Sequence, residues 1–565
     1  MLTWWVAGSL QKVFQDDGPG GDAGKEIRLA AAGNEKEDAQ ICLRSDRKVA
    51  RVAVQCTELT GPGGARIPAE SVSARFVGYA PVHENTADNG DGQHIIRRAP
   101  AFFPDPFLEW PETKLHAGQT QPIWVTVAVP GEAPAGEYRG TVTVHSDEEK
   151  IEVSLTLHVW PFSIPRKPSV WHTEWFFPGN VEDWYGLERF SDDWWRWMEI
   201  VARDMGQHRQ NVILTPLQTL VHSTATAGGY AYDYSNLDRW VELFDRYGVA
   251  DRIEGSHLGG RCGDWESEFV FSPMTVHDAH GVPTQLDRAP VDDPDRRALL
   301  SHFLQSLRDH LVHKGWWSRF ILHQADEPIP PNEASYRVMS AFVRETLPDV
   351  PRIDAVMSEG LEGCIEIRVP QIQELREGMP AAGEELWSYT CLAPQGPYPN
   401  RFLDYASLKT RTIHWLNWRY NATGYLHWGY GAWRPWGGMK GRIDPWNSTT
   451  GSSEWLPLGK LRLPPGDTHV AYPGQEGICD SIRWEMVRKG MEDHEYLLLV
   501  EKGIQRAGAG SAEGAAATAL LDRVRRDLLK SHSEYTRSEA ELLDARRKLA
   551  EAIIALGSTG DGNGG

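Results

Sequence analysis

Two carboxylates stand side by side at Asp326 and Glu327, at the end of the run Arg319-Phe-Ile-Leu-His-Gln-Ala-Asp-Glu-Pro328. A protonated carboxylic acid can deliver a proton to a leaving oxygen, and an ionised one can stabilise a developing positive charge. The run that carries them starts with Phe320, Ile321 and Leu322, a short apolar stretch that predicts a buried strand. A buried strand with acids at its C-terminal end is how a parallel α/β barrel places its chemistry. Neighbouring side chains of a regular strand point to opposite faces, so both acids can serve one cavity only where the pleat breaks. The run Pro328-Ile-Pro-Pro331 predicts that break. An arbitrary Asp-Glu pair is more often a pair of solvated loop acids, because charged residues are mostly exposed; the strand before this one favours chemistry.

The elements that must position the pair begin at Val170. Val170-Trp-His-Thr-Glu-Trp-Phe-Phe177 reads as a strand, and Asp192 to Arg209 as an amphipathic helix capped by Ser191 or Asp192. Asn211 to Pro216 is a strand, and Leu237 to Tyr247 a helix ended by Gly248. Arg252 to Leu258 is a weak strand, Asp293 to Lys314 a helix ended by Gly315, and Asn332 to Leu347 a helix with Asn332 as its cap. Further strands are Arg352 to Met357, Cys364 to Val369, Glu385 to Thr390 and Gly424 to Tyr430, with short helices such as Arg411 to Tyr420 between them. With Phe320 to Gln324, eight strands alternate with mostly helical segments, which indicates a closed parallel barrel. Ser481 to Lys502 is another helix, Ala507 to Gly514 a loop, and Ala515 to Leu556 a helical stretch packed outside the barrel.

Ahead of the barrel the period is two. Val49 to Gln55, Pro122 to Val129, Tyr138 to Val144 and Ile151 to Val159 alternate between Gly/Pro turns, the pattern of an antiparallel sandwich. His83 to Pro111 reads as one long polar loop, a mobile surface segment rather than a binding loop. The fold class expected is therefore α/β: an all-β sandwich over 1–160, a proline-rich linker over 161–168, a (β/α)8 TIM-like barrel over 169–510, C-terminal helices over 511–556 and a disordered tail over 557–565.

Composition narrows the function. The chain of 565 residues carries a formal net charge of −20, which argues against binding a phosphate backbone, so no nucleic-acid partner is expected. No stretch reaches the length of a membrane span, and the N-terminus lacks a basic region followed by an apolar run; a cytoplasmic protein without membrane association is expected. Six scattered cysteines show no metal spacing, and neither a metal nor a cofactor is expected. The 24 tryptophans exceed what cores need, and indole faces suit the apolar faces of sugar rings. No phosphate-cradling loop follows a strand, no His-x-x-x-His pair sits on a clear helix, and no Gly-x-Ser-x-Gly elbow is present. What remains is carboxylates with aromatics, a set that suits glycoside hydrolysis.

The other strand ends supply those aromatics. Glu174 and Trp175 close the first strand, Trp387 and Tyr389 lie on the seventh, and His427 and Trp428 end the eighth, with Asp444 and Trp446 beyond. His323 is either a site residue or a hydrogen-bonded core histidine. The segment from Ser256 to Pro290 is a long insertion after the third strand that could line the cleft.

These motifs resemble glycoside hydrolase family 123, also catalogued through the domain of unknown function DUF4091. The likeness covers about 165–505 and rests on Asp326-Glu-Pro328, Trp387-Ser-Tyr-Thr-Cys391, Tyr398-Pro-Asn-Arg-Phe402, Gly424-Tyr-Leu-His-Trp428, Asp444-Pro-Trp446, Tyr472-Pro-Gly474, Ser481-Ile-Arg-Trp-Glu485 and Gly490-Met-Glu-Asp-His-Glu-Tyr496. The resemblance implies a retaining β-N-acetylgalactosaminidase with substrate-assisted catalysis through an oxazolinium intermediate. It implies Glu327 as general acid/base, Asp326 as the residue that orients the 2-acetamido group, and Tyr389 as a donor to the acetamido oxygen. Two competing expectations are a glycosidase of this fold acting on a sugar without a 2-acetamido group, and a non-catalytic carbohydrate-binding protein.

Overall fold

A computed structural model describes residues 2–20, 24–87, 92–147, 149–380, 383–434, 442–449 and 463–557. The N-terminal part is sheet-rich. One sheet orders Leu2–Gly8, Lys36–Ser45, Thr120–Ala128, Val72–Val82 and Ala101–Phe107. The other runs through Glu26–Gly33, Lys150–Ser163, Gly136–Ser146, Val49–Cys56 and Glu112–Leu115. Alternation builds the core between them: in Lys150–Ser163 the residues Ile151, Val153, Leu155, Leu157 and Val159 are buried, while Glu152, Ser154 and His158 are exposed. Ile41, Ile123 and Val125 of the first sheet meet Ile27, Val142 and Val153 of the second in one hydrophobic cluster.

Two expectations for this part are corrected. Ala101–Phe107, inside the stretch read as a loop, is a strand paired with Val72–Val82. Its Pro104 and Pro106 are tolerated because it is an edge strand, where a missing N–H breaks no second ladder. The strand Lys150–Ser163 runs through Pro161 into the segment read as linker, and its register shifts between Val159 and Ser163, where the proline sits.

The second part is mixed α/β around an eight-stranded parallel sheet. Its strands are β1 (Trp171–Glu174), β2 (Val212–Thr215), β3 (Arg252–Gly255), β4 (Phe320–His323), β5 (Arg352–Val356), β6 (Ile367–Pro370), β7 (Glu385–Tyr389) and β8 (Gly424–His427). Their spatial order is β1-β8-β7-β6-β5-β4-β3-β2. The sheet curls into a nearly closed barrel: between β1 and β2 the Asn211 carboxamide takes the place of a ladder, accepting from the His172 N–H at 2.8 Å and donating to the Val170 carbonyl at 3.1 Å. Helices Asp192–Gln207, Ser235–Arg246, Pro294–His313, Glu333–Thr346 and Ser407–Arg419 fill the connections β1–β2, β2–β3, β3–β4, β4–β5 and β7–β8. Ser191 and Asp293 cap the first and third of these, accepting from the N–H of Trp194 and Arg296.

The alternation is not complete. The described residues between β5 and β6 and between β6 and β7 form no α-helix, only the short 3-10 turn Ile372–Glu374. β6 starts at Ile367, not Cys364, and β8 ends at His427, short of Tyr430. Asn332 sits at its cap position without capping: its Oδ1 accepts from the Ile329 N–H and its amide donates to the carbonyls of Trp265 and Ser267. The helix read from Arg411 begins at Ser407. The C-terminal stretch is two helices, Ala512–Arg523 and Glu539–Ala555, and the first starts inside the segment read as loop because Ser511 caps it. Of the expected disordered tail over 557–565, all but Gly557 lies outside the described residues. Among the described residues no helix is long and apolar enough to cross a membrane.

The helix Ile482–Ala507 ties the two parts together. Its Arg488 is fully buried and binds Asp38 at 3.0 Å, Glu492 at 2.6 Å, Glu485 at 2.7 Å and the Lys36 carbonyl. Beside it, Lys489 meets Glu37 at 2.5 Å and the Tyr496 hydroxyl donates to Glu35. Arg488→Met is expected to destabilise the protein by about 3–5 kcal/mol, because it strips buried Glu492 of its ion-pair partner and leaves Asp38 to Lys489 and Glu485 to Arg75. A lowered urea midpoint checks this; a variant as stable as the parent would show that the network adds nothing.

Candidate active site

The strand Phe320–His323 is buried at all four positions, and Ala325 follows it into the core. The chain then leaves the sheet at Asp326. Glu327 has φ of +48°, in the left-handed region that a residue with a β-carbon seldom adopts. That turn breaks the pleat and lets both acids face one space. Three hydrogen bonds hold it: the Glu327 N–H donates to the Ala355 carbonyl at 3.1 Å, and Arg261 donates to the carbonyls of Asp326 and Glu327 at 3.0 and 2.6 Å.

Arg261 comes from the insertion after β3. There Gly259–Arg261 pairs with Phe269–Phe271, which pairs with Ala289–Pro290. The guanidinium lies 3.8 Å from the centre of the Trp265 ring. The insertion therefore supplies both a clamp on the acidic turn and an aromatic wall. Neither residue was named from the sequence, although the insertion was flagged as able to line a cleft.

The space the acids face is a cavity of about 560 Å³, within the usual range for a small-molecule site. Asp326 and Glu327 line it with Trp175, Trp265, Tyr389 and Trp428, together with Met357, Gln371 and Cys391. Trp175 follows β1, the acids follow β4, Met357 follows β5, Gln371 follows β6, Tyr389 ends β7 and Trp428 follows β8. The cavity thus opens at the C-terminal ends of the strands, where a parallel barrel gathers its loops. The Tyr389 hydroxyl donates to Glu327 Oε1.

The other candidates lie below or outside this cavity. His323 is fully buried between two carboxylates, Nδ1 at 2.9 Å from Asp354 and Nε2 at 2.5 Å from Glu254. Glu254 also accepts from the Trp175 indole at 3.0 Å and the Thr173 hydroxyl at 2.7 Å. Glu174 is buried against Arg401 at 2.9 Å. Trp387 fills the opposite end of the barrel and donates to Glu385 at 2.9 Å. Its ring lies against Gly424, where a β-carbon would come within 2.3 Å of it, so only glycine fits. Asp444 closes a local turn, accepting from the Trp446 N–H at 2.9 Å, and the Trp446 indole donates to the Pro473 carbonyl against Tyr472. The structure does not bring Asp444 and Trp446 to the cavity, because their loop packs toward the N-terminal sheets.

The electrostatics follow from burial. Burial raises the Asp326 carboxyl well above the ordinary range, and the charges of Glu327 and Asp354 lift it further against Arg261 and His323. Burial also raises Glu327, while the Tyr389 hydroxyl and Arg261 hold it back. For His323 burial opposes the charge, but hydrogen bonds to Asp354 and Glu254 outweigh it and push the imidazole up to about 10. Two groups of described residues carry metal-ligand chemistry, His257-His323-Asp354 and Asp204-His208-Asp480. In the first, both ring nitrogens of His323 already meet carboxylates, and in the second Arg75 contacts Asp480 at 2.6 Å. Each is accounted for as a charge network.

A family model described as the glycoside hydrolase 123 catalytic domain matches residues 175–500, and one for the glycoside hydrolase 123 N-terminal domain matches 14–146. No curated protein matches. Among solved structures, a family 123 glycoside hydrolase from Clostridium perfringens, described in the context of glycolipid glycan hydrolysis, has a TM-score of 0.74 at 13% identity and covers 98% of each chain. A β-glucuronidase from Parabacteroides merdae reaches 0.27 at 10% identity, over 82% of this chain and 50% of that one. A GH10 xylanase from termite gut reaches 0.29 at 10% identity, over 83% and 99%. The last two scores are too low to bear on the fold. The catalytic-domain match spans more than half of the sequence and contains the acidic turn, and the chain belongs to glycoside hydrolase family 123.

Proposed function

We propose that this protein is a retaining exo-glycosidase that releases terminal β-N-acetylgalactosamine, or β-N-acetylhexosamine more broadly, through an oxazolinium intermediate. The observation that supports this reading is the placement of Asp326 and Glu327 as the only carboxylates among the described residues that line the cavity. A retaining glycosidase with its own nucleophile uses two carboxylates that flank the scissile bond. Consecutive residues on one turn approach the sugar from one side, which leaves the nucleophile to the substrate's acetamido oxygen.

In this reading Glu327 gives its proton to the glycosidic oxygen as the bond to C1 breaks, and the acetamido oxygen bonds to C1. Asp326 accepts from the acetamido N–H and stabilises the charge that forms there. Tyr389 turns its hydroxyl from Glu327 and donates to the acetamido oxygen. Water then attacks C1, loses a proton to Glu327 and reopens the ring with the β configuration retained. Trp175, Trp428 and Trp265 are platforms for the sugar, and Glu174, His323 and Trp387 support the floor from below. Binding of the acetamido N–H favours ionised Asp326, which leaves the proton of the pair on Glu327. The same reading takes the fold as a TIM-like barrel of about 169–510, in which the described residues of the β5–β6 and β6–β7 connections form no α-helix, behind a β-sandwich of about 1–160.

The sign of the pH dependence follows. An acid must be protonated to act, so activity is lost as pH rises through the raised pKa of the pair, above the ordinary carboxylate range. Asp326→Asn removes the negative neighbour, so the high-pH limb should move to lower pH; a limb that stays in place argues against the shared proton. A panel of nitrophenyl glycosides tests the reading as a whole. Turnover confined to 2-acetamido sugars is the expected outcome. Cleavage only of sugars without that group favours a different glycosidase, and binding without cleavage a lectin-like protein.

A further inference from the structure

A second cavity, of about 440 Å³, adjoins the first, and Met357 and Gln371 line both. It begins where β5 ends, next to Ala355, whose carbonyl accepts the Glu327 N–H. It therefore opens on the side of Glu327, the group that protonates the leaving oxygen in the reading above. A leaving group departs toward the acid that protonates it.

The lining of this second space is suited to a sugar. Met357 is half exposed, and with Met379 and Pro370 it offers apolar surface for the C–H face of a ring. Ser358 is more than nine-tenths buried, and its Oγ has no hydrogen-bond partner among the described residues. A buried hydroxyl without a partner is costly, and a ligand hydroxyl would satisfy it. The charges are unequal. Arg368 is paired with Glu384 at 2.9 Å, and Arg376 with Glu359. Glu362 and Glu374 line the same space, exposed, with no cation within ion-pair distance among the described residues. Two spare carboxylates accept hydrogen bonds from sugar hydroxyls and repel sulfate or carboxylate groups.

We infer that this second cavity holds the leaving-group sugars of the substrate and takes an uncharged glycan in preference to a sulfated or sialylated one. The inference rests on the glycosidase reading, since the first cavity must hold the terminal sugar.

Binding to the full chain carrying Glu327→Gln tests it, because that variant should hold its ligand without turning it over. Calorimetry would compare three probes: the nitrophenyl glycoside of β-N-acetylgalactosamine, a neutral tetrasaccharide ending in that sugar, and the same tetrasaccharide sulfated on its second residue. The neutral tetrasaccharide should bind about tenfold tighter than the nitrophenyl glycoside, and sulfation should remove most of that gain at low salt. Adding Glu362→Gln and Glu374→Gln should bring the sulfated and neutral tetrasaccharides about threefold or more closer together in affinity. A tetrasaccharide that binds no tighter than the monosaccharide, or a sulfated one that binds as well as the neutral, overturns the inference. If none of the three binds while glycans ending in a different sugar do, the acetamido reading fails; the same comparison with that sugar's neutral and sulfated glycans then decides the second cavity.

Discussion

Replacing Asp326 with Asn is expected to lower kcat on a β-N-acetylgalactosaminide by about a hundredfold to a thousandfold, the usual loss when one preorganised electrostatic contact is removed. In the proposed mechanism Asp326 touches only the acetamido group, so the loss comes from an oxazolinium whose charge is no longer met. Asparagine keeps the shape of the side chain, and the clamp from Arg261 acts on backbone carbonyls, so the turn should survive. Azide should not rescue this variant as an inverted glycosyl azide, because Asp326 forms no bond to the sugar. A thiazoline analogue of the acetamido sugar should inhibit the parent more strongly than substrate binds, since it resembles the cyclised intermediate. A sugar ester trapped on Asp326, or a thiazoline without effect, would falsify substrate assistance.

Glu327→Gln should be at least as severe, by about a hundredfold to ten-thousandfold, on a substrate with a poor leaving group such as a second sugar. It should be far milder on a nitrophenyl glycoside, whose aglycone departs with little protonation. The distinction matters because Glu327 carries two other duties in the fold. Its carboxylate receives the Tyr389 hydroxyl, and its backbone sits at φ of +48°. Glutamine can still accept from Tyr389 and can adopt the same backbone, so a general collapse of the site would slow both substrates alike. Equal losses on the two leaving groups would therefore argue for a structural role and against acid catalysis.

Much of the frame was already present in local patterns. The period-two runs of the N-terminal sheets, the capping serine at Ser191 and the glycines at Gly248 and Gly315 act between near neighbours, so they can be read without knowing the fold. The same holds for the break at Asp326 and Glu327. An apolar run, two acids and a proline determine that the strand ends there, and the observed cavity contains both carboxylates together with Trp175, Tyr389 and Trp428.

Tertiary structure decided depth and distance. Along a strand of four or five residues, position at the mouth or in the floor is set by how the sheet curls, and no periodicity reports it. Trp387 and Tyr389 share a strand and a face, yet one fills the bottom of the barrel and the other reaches Glu327. His323 and Glu174 are one layer too deep to meet a ligand, and Asp444 and Trp446 are drawn away by packing against Tyr472 and Pro473. Arg261 pins the acidic turn from a segment more than sixty residues earlier in the chain. Arg488 gathers Asp38 across 450 residues. A charge finds its partner through the folded chain, and a sequence of neighbours carries no record of which distant carboxylate will be brought to it.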